Sequence, residues 1–268
     1  MRKLLIGSGL LLILFSGVAM RRARQNAKLE GGTLRTFTVA GQTREALVFG
    51  KKSNAAAPLV LCFHGHGGRA QQAARRWDIH TLWPEAIVVY LQGLPGVAGI
   101  TDQEGKLPGW QKNPGEQADR DVQFADAVIV AMRQQYKIDD RRLYAVGHSN
   151  GARFVNVLWK MRGEKFAAFA SAAAQGGLMI RDAVPRSLFA LAGERDPLVP
   201  YEGQLRSLEI ARQVLKTDEN KAITKGYLRI VPGLQGTELA TYLHPGGHEF
   251  SPSAIPIIVE FFKRHVKP

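Results

Sequence analysis

The sequence predicts an α/β fold: a mostly parallel central sheet with helices on both faces. Three observations carry this. Short apolar runs without polar alternation, at residues 58–63 (PLVLCF) and 86–90 (AIVVY), suit strands buried on both faces. Segments with apolar residues at helical spacing alternate with them. Several runs also end in a turn rich in glycine and histidine, where ligand sites of such sheets gather. The 268 residues are 45% hydrophobic and 22% charged, which supports a sizeable core and argues against bulk disorder.

The elements follow in order. Residues 33–39 and 45–49 read as two strands joined by a turn at Gly41. Residues 58–63 and 86–90 are the two apolar strands. Residues 92–118 form one long irregular stretch, rich in Gly and Pro, and a loop of that length tends to serve function. A helix is predicted over 121–136, with Val122, Ala125, Ile129 and Met132 on one face. A strand at 143–146 leads into a helix at 152–161, and strands follow at 166–170 and 187–192. A helix at 203–215 precedes strands at 227–231 and 238–243. A closing helix over 253–265 points Ile255, Ile258, Val259 and Phe262 inward. Cys62 lies mid-strand and is expected to be a buried, inert thiol; a single cysteine excludes an internal disulfide framework.

Residues 1–30 are expected to be a signal peptide or an N-terminal membrane anchor, with 31–268 as a single catalytic domain. Arg2 and Lys3 precede an uncharged run at residues 4–20, and Gly17-Val18-Ala19 offers small residues for cleavage. The basic cluster Arg21-Arg22-Ala23-Arg24 hinders export of a cleaved product, so membrane attachment through residues 4–20 stays open. The expected location is periplasmic or secreted, or membrane-anchored. The chain has 36 Lys+Arg against 23 Asp+Glu, a formal charge of +13. Six of the positive charges lie in the first 28 residues and the rest are dispersed without interleaved aromatics, so no nucleic-acid partner is expected.

The strongest chemical signal is Gly147-His148-Ser149-Asn150-Gly151, between an apolar strand and a helix. A strand–turn–helix of this type holds a serine strained and exposed, with glycine required two residues to either side. The competing structural role is a glycine-rich turn with a capping serine. The N–H of Asn150 would face a developing oxyanion at the helix start. A second signal, His64-Gly65-His66-Gly67-Gly68, follows the 58–63 strand and suits the other half of an oxyanion hole. The N–H of His66 is favoured, with Gly67 as the close alternative, and the His64 imidazole is expected to brace the loop. No metal is expected here, because further ligands at metal spacing are missing. A nucleophilic serine needs a base and an orienting acid, downstream in the order Ser, Asp or Glu, His. His248, in Gly246-Gly247-His248-Glu249-Phe250, is favoured over His244 and over His265, which is expected to be solvated. Asp196, in Gly193-Glu194-Arg195-Asp196-Pro197, is favoured over Glu194 and Asp182, with turn capping as its competing role. Trp77, Trp83 and Trp159 are expected to pack. Trp110, in the long loop, is the candidate for stacking on a sugar or aromatic acyl group.

The ordered set LVLCFHGHGG, RDVQFADAVI, YKIDDRRLYAVGHSNGARF, FAAFASAAA, LAGERDPLVPYEG and GGHEF resembles the esterase and polyhydroxybutyrate-depolymerase-like family of α/β-hydrolases, with the feruloyl and acetylxylan esterases. The resemblance implies an α/β-hydrolase fold, no cofactor, a Ser149–Asp196–His248 triad and a backbone oxyanion hole. Two departures stand out: Phe250 sits where the family usually has tryptophan, and Gly151-Ala152 replaces the usual glycine pair. The expected activity is serine ester hydrolysis through an acyl-enzyme. The substrate would be a small-molecule or polymer ester: a small, carbohydrate-linked or polyhydroxyalkanoate-type one. An acyltransferase with the same triad and a non-catalytic envelope-binding protein are the alternatives. Oligomeric state is not legible.

Overall fold

A computed structural model describes residues 29–267; the expectations for the export segment lie outside the described residues. Ten strands form one sheet: β1 (Thr33–Val39), β2 (Gln42–Phe49), β3 (Ala57–Phe63), β4 (Ile87–Leu91), β5 (Ile138–His148), β6 (Ala168–Ala172), β7 (Ser187–Gly193), β8 (Ile223–Lys225), β9 (Leu228–Pro232) and β10 (Glu238–His244). Their order is β1-β2-β4-β3-β5-β6-β7-β10-β9-β8. The central strands β4-β3-β5-β6-β7-β10 pair in parallel. Antiparallel strands extend the sheet at both edges.

Two apolar cores flank this sheet. One face carries α3 (Arg120–Gln135), α4 (Asn150–Arg162) and α5 (Tyr201–Leu215). The other carries α1 (Ala70–Trp77), the short α2 (Ile79–Leu82) and α6 (Ala254–Arg264). The predicted inward residues of α3 and α6 are buried. Five large apolar side chains of α6 are buried (Ile255, Ile258, Val259, Phe261, Phe262), each worth roughly 1.5–3 kcal/mol of burial. Cys62 lies fully buried in β3, and desolvation pushes its thiol pKa well up.

Three elements differ from expectation. Helices α1 and α2 were not legible, because the buried face of α1 is Ala70, Ala73, Ala74 and Trp77. Alanines are too small to stand out from the flanking Gln and Arg as an apolar stripe. The short edge strand β8 is wholly exposed and so lacks any alternation to read. His265 is buried rather than solvated: its Nδ1 bonds the Phe261 carbonyl at 2.7 Å, and its own carbonyl accepts the Tyr144 hydroxyl at 2.6 Å. After α6 the Lys267 N–H reaches the Arg141 carbonyl, and the His265 ring packs against Phe261.

Chain order explains where a site forms. From β3 the sheet grows one way to β4 and then the other way through β5, β6 and β7. The reversal between β3 and β5 leaves a crevice beyond their carboxyl ends.

Candidate active site

Ser149 lies between β5 and α4 at φ 54°, ψ −122°, in the left-handed half of backbone space that a side chain avoids. The turn closes because of its glycines. A Cβ at Gly151 would lie 2.1 Å from the Phe63 carbonyl oxygen, and one at Gly147 would lie 2.4 Å from the Gly151 carbonyl. Ser149 occupies the capping position of α4, yet its hydroxyl makes no capping bond. Ser149 Oγ instead lies 2.8 Å from His248 Nε2.

His248 follows β10, and its Nδ1 lies 2.8 Å from Asp196 Oδ2. Asp196 follows β7, beside β10 in the sheet. Its Oδ1 accepts the N–H groups of Leu198 at 2.8 Å and Val199 at 2.9 Å, so it caps its turn and holds the imidazole together. Burial works to raise this carboxyl; the Val199 N–H, His248 and the Leu198 N–H outweigh it and hold the pKa below the ordinary range. The rivals stand elsewhere: the Asp182 side chain is 82% exposed near Lys160, and Glu194 is exposed. His244 is buried, and its Nδ1 accepts the Gly246 N–H at 3.1 Å.

The loop after β3 packs against this chain of bonds. His64 is buried and braces it: Nδ1 lies 2.7 Å from the Gly65 carbonyl, and Nε2 accepts the Gly93 N–H at 3.0 Å. Desolvation lowers its pKa to about 4, so the ring is neutral. The two oxyanion candidates on this loop differ. The Gly67 N–H is spent on the Pro108 carbonyl at 2.8 Å, so Gly67 is withdrawn as a donor. The N–H groups of His66 and Asn150 have no partner among the described residues, and both residues line the pocket. The Asn150 side chain is locked by the long loop: Oδ1 accepts the Trp110 N–H at 2.7 Å, and Nδ2 donates to the Trp110 carbonyl at 2.9 Å.

Trp110 is corrected as a substrate-stacking residue. Its ring is fully buried, edge-on to Phe63 at 5.1 Å and stacked on Phe154 at 5.6 Å. The indole N–H donates to the His64 carbonyl at 2.9 Å, so no face is left for a ligand. Trp110 is a positioning residue beneath the β3 loop.

Sequence reasoning missed several neighbours. His148, the second residue of the serine motif, lies with its ring 5.0 Å from that of His248 and stacks on Phe250. Desolvation first, then the electrostatic interaction with His248, lowers its pKa to about 4. Phe250 wedges between His148 and Trp77. The His66 side chain reaches Asp102 at 2.9 Å, and Asp102 accepts two loop N–H groups, from Lys106 and Leu107. Arg153, one turn after Ser149, donates to the carbonyls of Lys112, Gln175 and Gly176 and so ties two loops. A buried ion pair anchors the long loop from behind: Arg44 to Asp121 at 2.8 Å, with Asp121 also accepting the Gln111 N–H. Apart from the N–H groups that Asp102 accepts within its own loop, these partners lie far apart in sequence, so no local motif marks them.

The open cavity above Ser149 has a volume of about 650 Å³. Leu198, Val199, Pro200, Ala173, Ala174 and Trp77 give it an apolar side. Among the described residues, no three His, Cys, Asp or Glu side chains are grouped to hold a metal ion.

Fold and crevice together define an α/β-hydrolase fold. Solved structures share it. An acetyl xylan esterase from Aspergillus awamori superposes with a TM-score of 0.66 at 13% identity, covering 87% of this chain and 99% of that one. A ferulic acid esterase gives 0.64 at 14% identity, covering 87% and 98%. The Bacillus cereus carboxylesterase gives 0.57 at 16% identity, covering 82% and 94%. In sequence, the chain is 30% identical over 183 residues to NocK of Nocardia uniformis subsp. tsuyamanensis, an esterase by name. It is 27% identical over 150 residues to the bifunctional acetylxylan esterase/xylanase XynS20E of Neocallimastix patriciarum. The matches take in 64% and 54% of this chain but only 50% and 20% of those relatives' lengths. No protein-family model matches the chain.

Proposed function

We propose that the protein is a serine carboxylic-ester hydrolase with Ser149 as nucleophile, His248 as general base and acid, and Asp196 as the orienting carboxylate. The observation that carries this reading is the unbroken run of hydrogen bonds, 2.8 Å from Ser149 to His248 and 2.8 Å on to Asp196, opening on the cavity. The esterase names of the relatives support the same reading.

Ser149 Oγ attacks the ester carbonyl carbon as its proton passes to His248 Nε2. Asp196 stays ionised and keeps the proton of Nδ1 in place, so Nε2 is the nitrogen free to accept. The oxyanion forms facing the N–H groups of Asn150 and His66, near the start of α4, where the helix dipole adds positive potential. His248 then returns its proton to the departing alkoxide, leaving an acyl-Ser149. Water, deprotonated by His248, cleaves the acyl group and restores the serine. The neutral His148 beside His248 fits this cycle, because a second cation there would oppose protonation of the base.

Small or carbohydrate-linked esters are the favoured substrates, with polyhydroxyalkanoate-type esters next. The chain also carries a proposed export or anchoring function in residues 1–30. A fluorophosphonate probe tests the centre: labelling of the protein, lost in Ser149→Ala, is the expected result. A folded protein that stays unlabelled would remove the reading. A rate panel over phenyl esters, acetylated xylan, feruloylated sugar and polyhydroxybutyrate assigns the substrate. N-terminal sequencing of the exported protein reports whether the leader is cleaved.

A further inference from the structure

The charge on the cavity wall is one-sided. Among the described residues, Arg69, Arg76, Lys112 and Arg153 line it, and no carboxylate does. In a chain this basic the number of cations is unremarkable, and others such as Arg35, Lys51, Arg206 and Lys225 also form no ion pair among the described residues; what marks this wall is that four cations gather on it with no carboxylate among the lining residues. Several cations elsewhere do meet acids: Arg44 with Asp121, Arg133 with Asp140, Arg142 with Asp139, Arg162 and Lys165 with Asp126, Arg229 with Glu219. Among the described residues, none of the four wall cations forms an ion pair. Two of them are partly compensated, because Glu116 lies within electrostatic reach of Lys112 and Arg153. Arg69 and Arg76 are the two left uncompensated.

Both stand on α1. Arg69, Gln72, Ala73 and Arg76 fall at i, i+3, i+4 and i+7, share one face and all line the cavity. Along the axis the two arginines are about 10 Å apart, a span their long side chains can close. Helix stability does not account for Arg69. It occupies the capping position of α1, where a side-chain oxygen or an acid is favourable, and it makes no capping bond; the first turn has no acid. Arg76 also acts on the site itself: after desolvation and His248, its charge adds a small contribution that lowers the His148 pKa.

We infer that the cavity takes anionic esters: substrates carrying a carboxylate, held by Arg69 and Arg76 along the exposed face of α1, with Gln72 between them as a hydrogen-bond donor. The inference rests on the ester-hydrolase reading and narrows its substrate class. Both arginines are exposed, so the attraction is screened by salt and acts mainly on capture of the substrate.

Matched ester pairs test it. The pair 3-acetoxybenzoate and phenyl acetate places the charge on the alcohol half; monophenyl adipate and phenyl hexanoate place it on the acyl half. The readout is the ratio of kcat/KM for the charged and neutral member of each pair. At low salt at least one ratio should be about tenfold in favour of the anion and should fall towards one near 0.5 M NaCl. An Arg69→Glu/Arg76→Glu double variant should bring that ratio to one or below, and Arg69→Gln/Arg76→Gln should bring it part of the way. Lys51→Glu, after β2 at the far end of the sheet, makes a like kind of charge change and should leave the ratio alone. Both ratios at one, or a ratio the double variant does not move, would overturn the inference while leaving ester hydrolysis intact. If neither neutral ester turns over, the hydrolase reading falls first. Binding then decides the anion preference: titration of the Ser149→Ala protein with monophenyl adipate and phenyl hexanoate should favour the acid about tenfold, and equal binding would end the proposal.

Discussion

The two sides of the cavity are built in different ways. On one side, Ser149, Asp196 and His248 sit on short turns directly after β5, β7 and β10, so the parallel register of the sheet places them. On the other, residues 92–118 after β4 form no long element. That wall depends on polar anchors: the buried pair Arg44 with Asp121, and the half-buried bonds of Trp110 with Asn150 and His66 with Asp102. The first side is positioned by backbone ladders, the second by a handful of side chains. The chemistry should therefore be robust to changes in the loop's surface and fragile to loss of its anchors.

The largest effect expected is on the ladder-built side. Ser149→Ala or His248→Ala should lower kcat roughly 10⁶-fold with folding unchanged, and Asp196→Asn about 10⁴-fold, read by initial rates on phenyl acetate. Loss of less than tenfold would detach these side chains from the reaction. Next comes the loop side. Asp121→Ala strands the buried Arg44 guanidinium and should cost about 3–5 kcal/mol in a urea titration, whereas replacing both partners with apolar residues should cost less. Trp110→Ala should cost about 3–5 kcal/mol and should also slow turnover, because Asn150 loses its fixed partner. The two sides would then differ in kind: triad variants stable and inactive, anchor variants destabilised and slowed.

A pH titration sharpens the contrast. His64 and His148 have folded pKa values of about 4, depressed first by desolvation, against about 6.5 in the unfolded chain. The unfolded state therefore binds more protons between these values, and stability should fall as pH drops from 6.5 towards 4, by up to roughly 3 kcal/mol for each ring. Asp196, held low, loses its contribution only at still lower pH. Urea titrations across pH 4–8 check this, and His64→Gln should flatten the slope. The smallest effect belongs to the surface. Breaking the exposed Arg133–Asp140 pair should cost below about 1 kcal/mol.

Legibility in the sequence follows the same division. The apolar strands, the strained serine turn and the order of Ser149, Asp196 and His248 were readable because each depends on a local pattern repeated at a strand end. What was not readable depends on partners far apart in the chain. Arg44 and Asp121 are separated by 77 residues, and nothing local marks either as buried. Trp110 looked like a loop tryptophan with a free face, and only the packing of Phe63 and Phe154 takes that face away. Gly67 was an open choice until Pro108 claimed its N–H. Helix α1 hid because alanine buries well without reading as strongly apolar, and the cation stripe it carries stayed hidden with it.

Cys62 has a use of its own. The only thiol in the chain sits one residue before the end of β3, a strand hydrogen-bonded between β4 and β5, and is wholly shielded. An alkylating reagent can reach it only when the centre of the sheet comes apart. Its labelling rate thus counts global opening events under native conditions, a built-in gauge of how long the molecule survives that needs neither denaturant nor an engineered reporter.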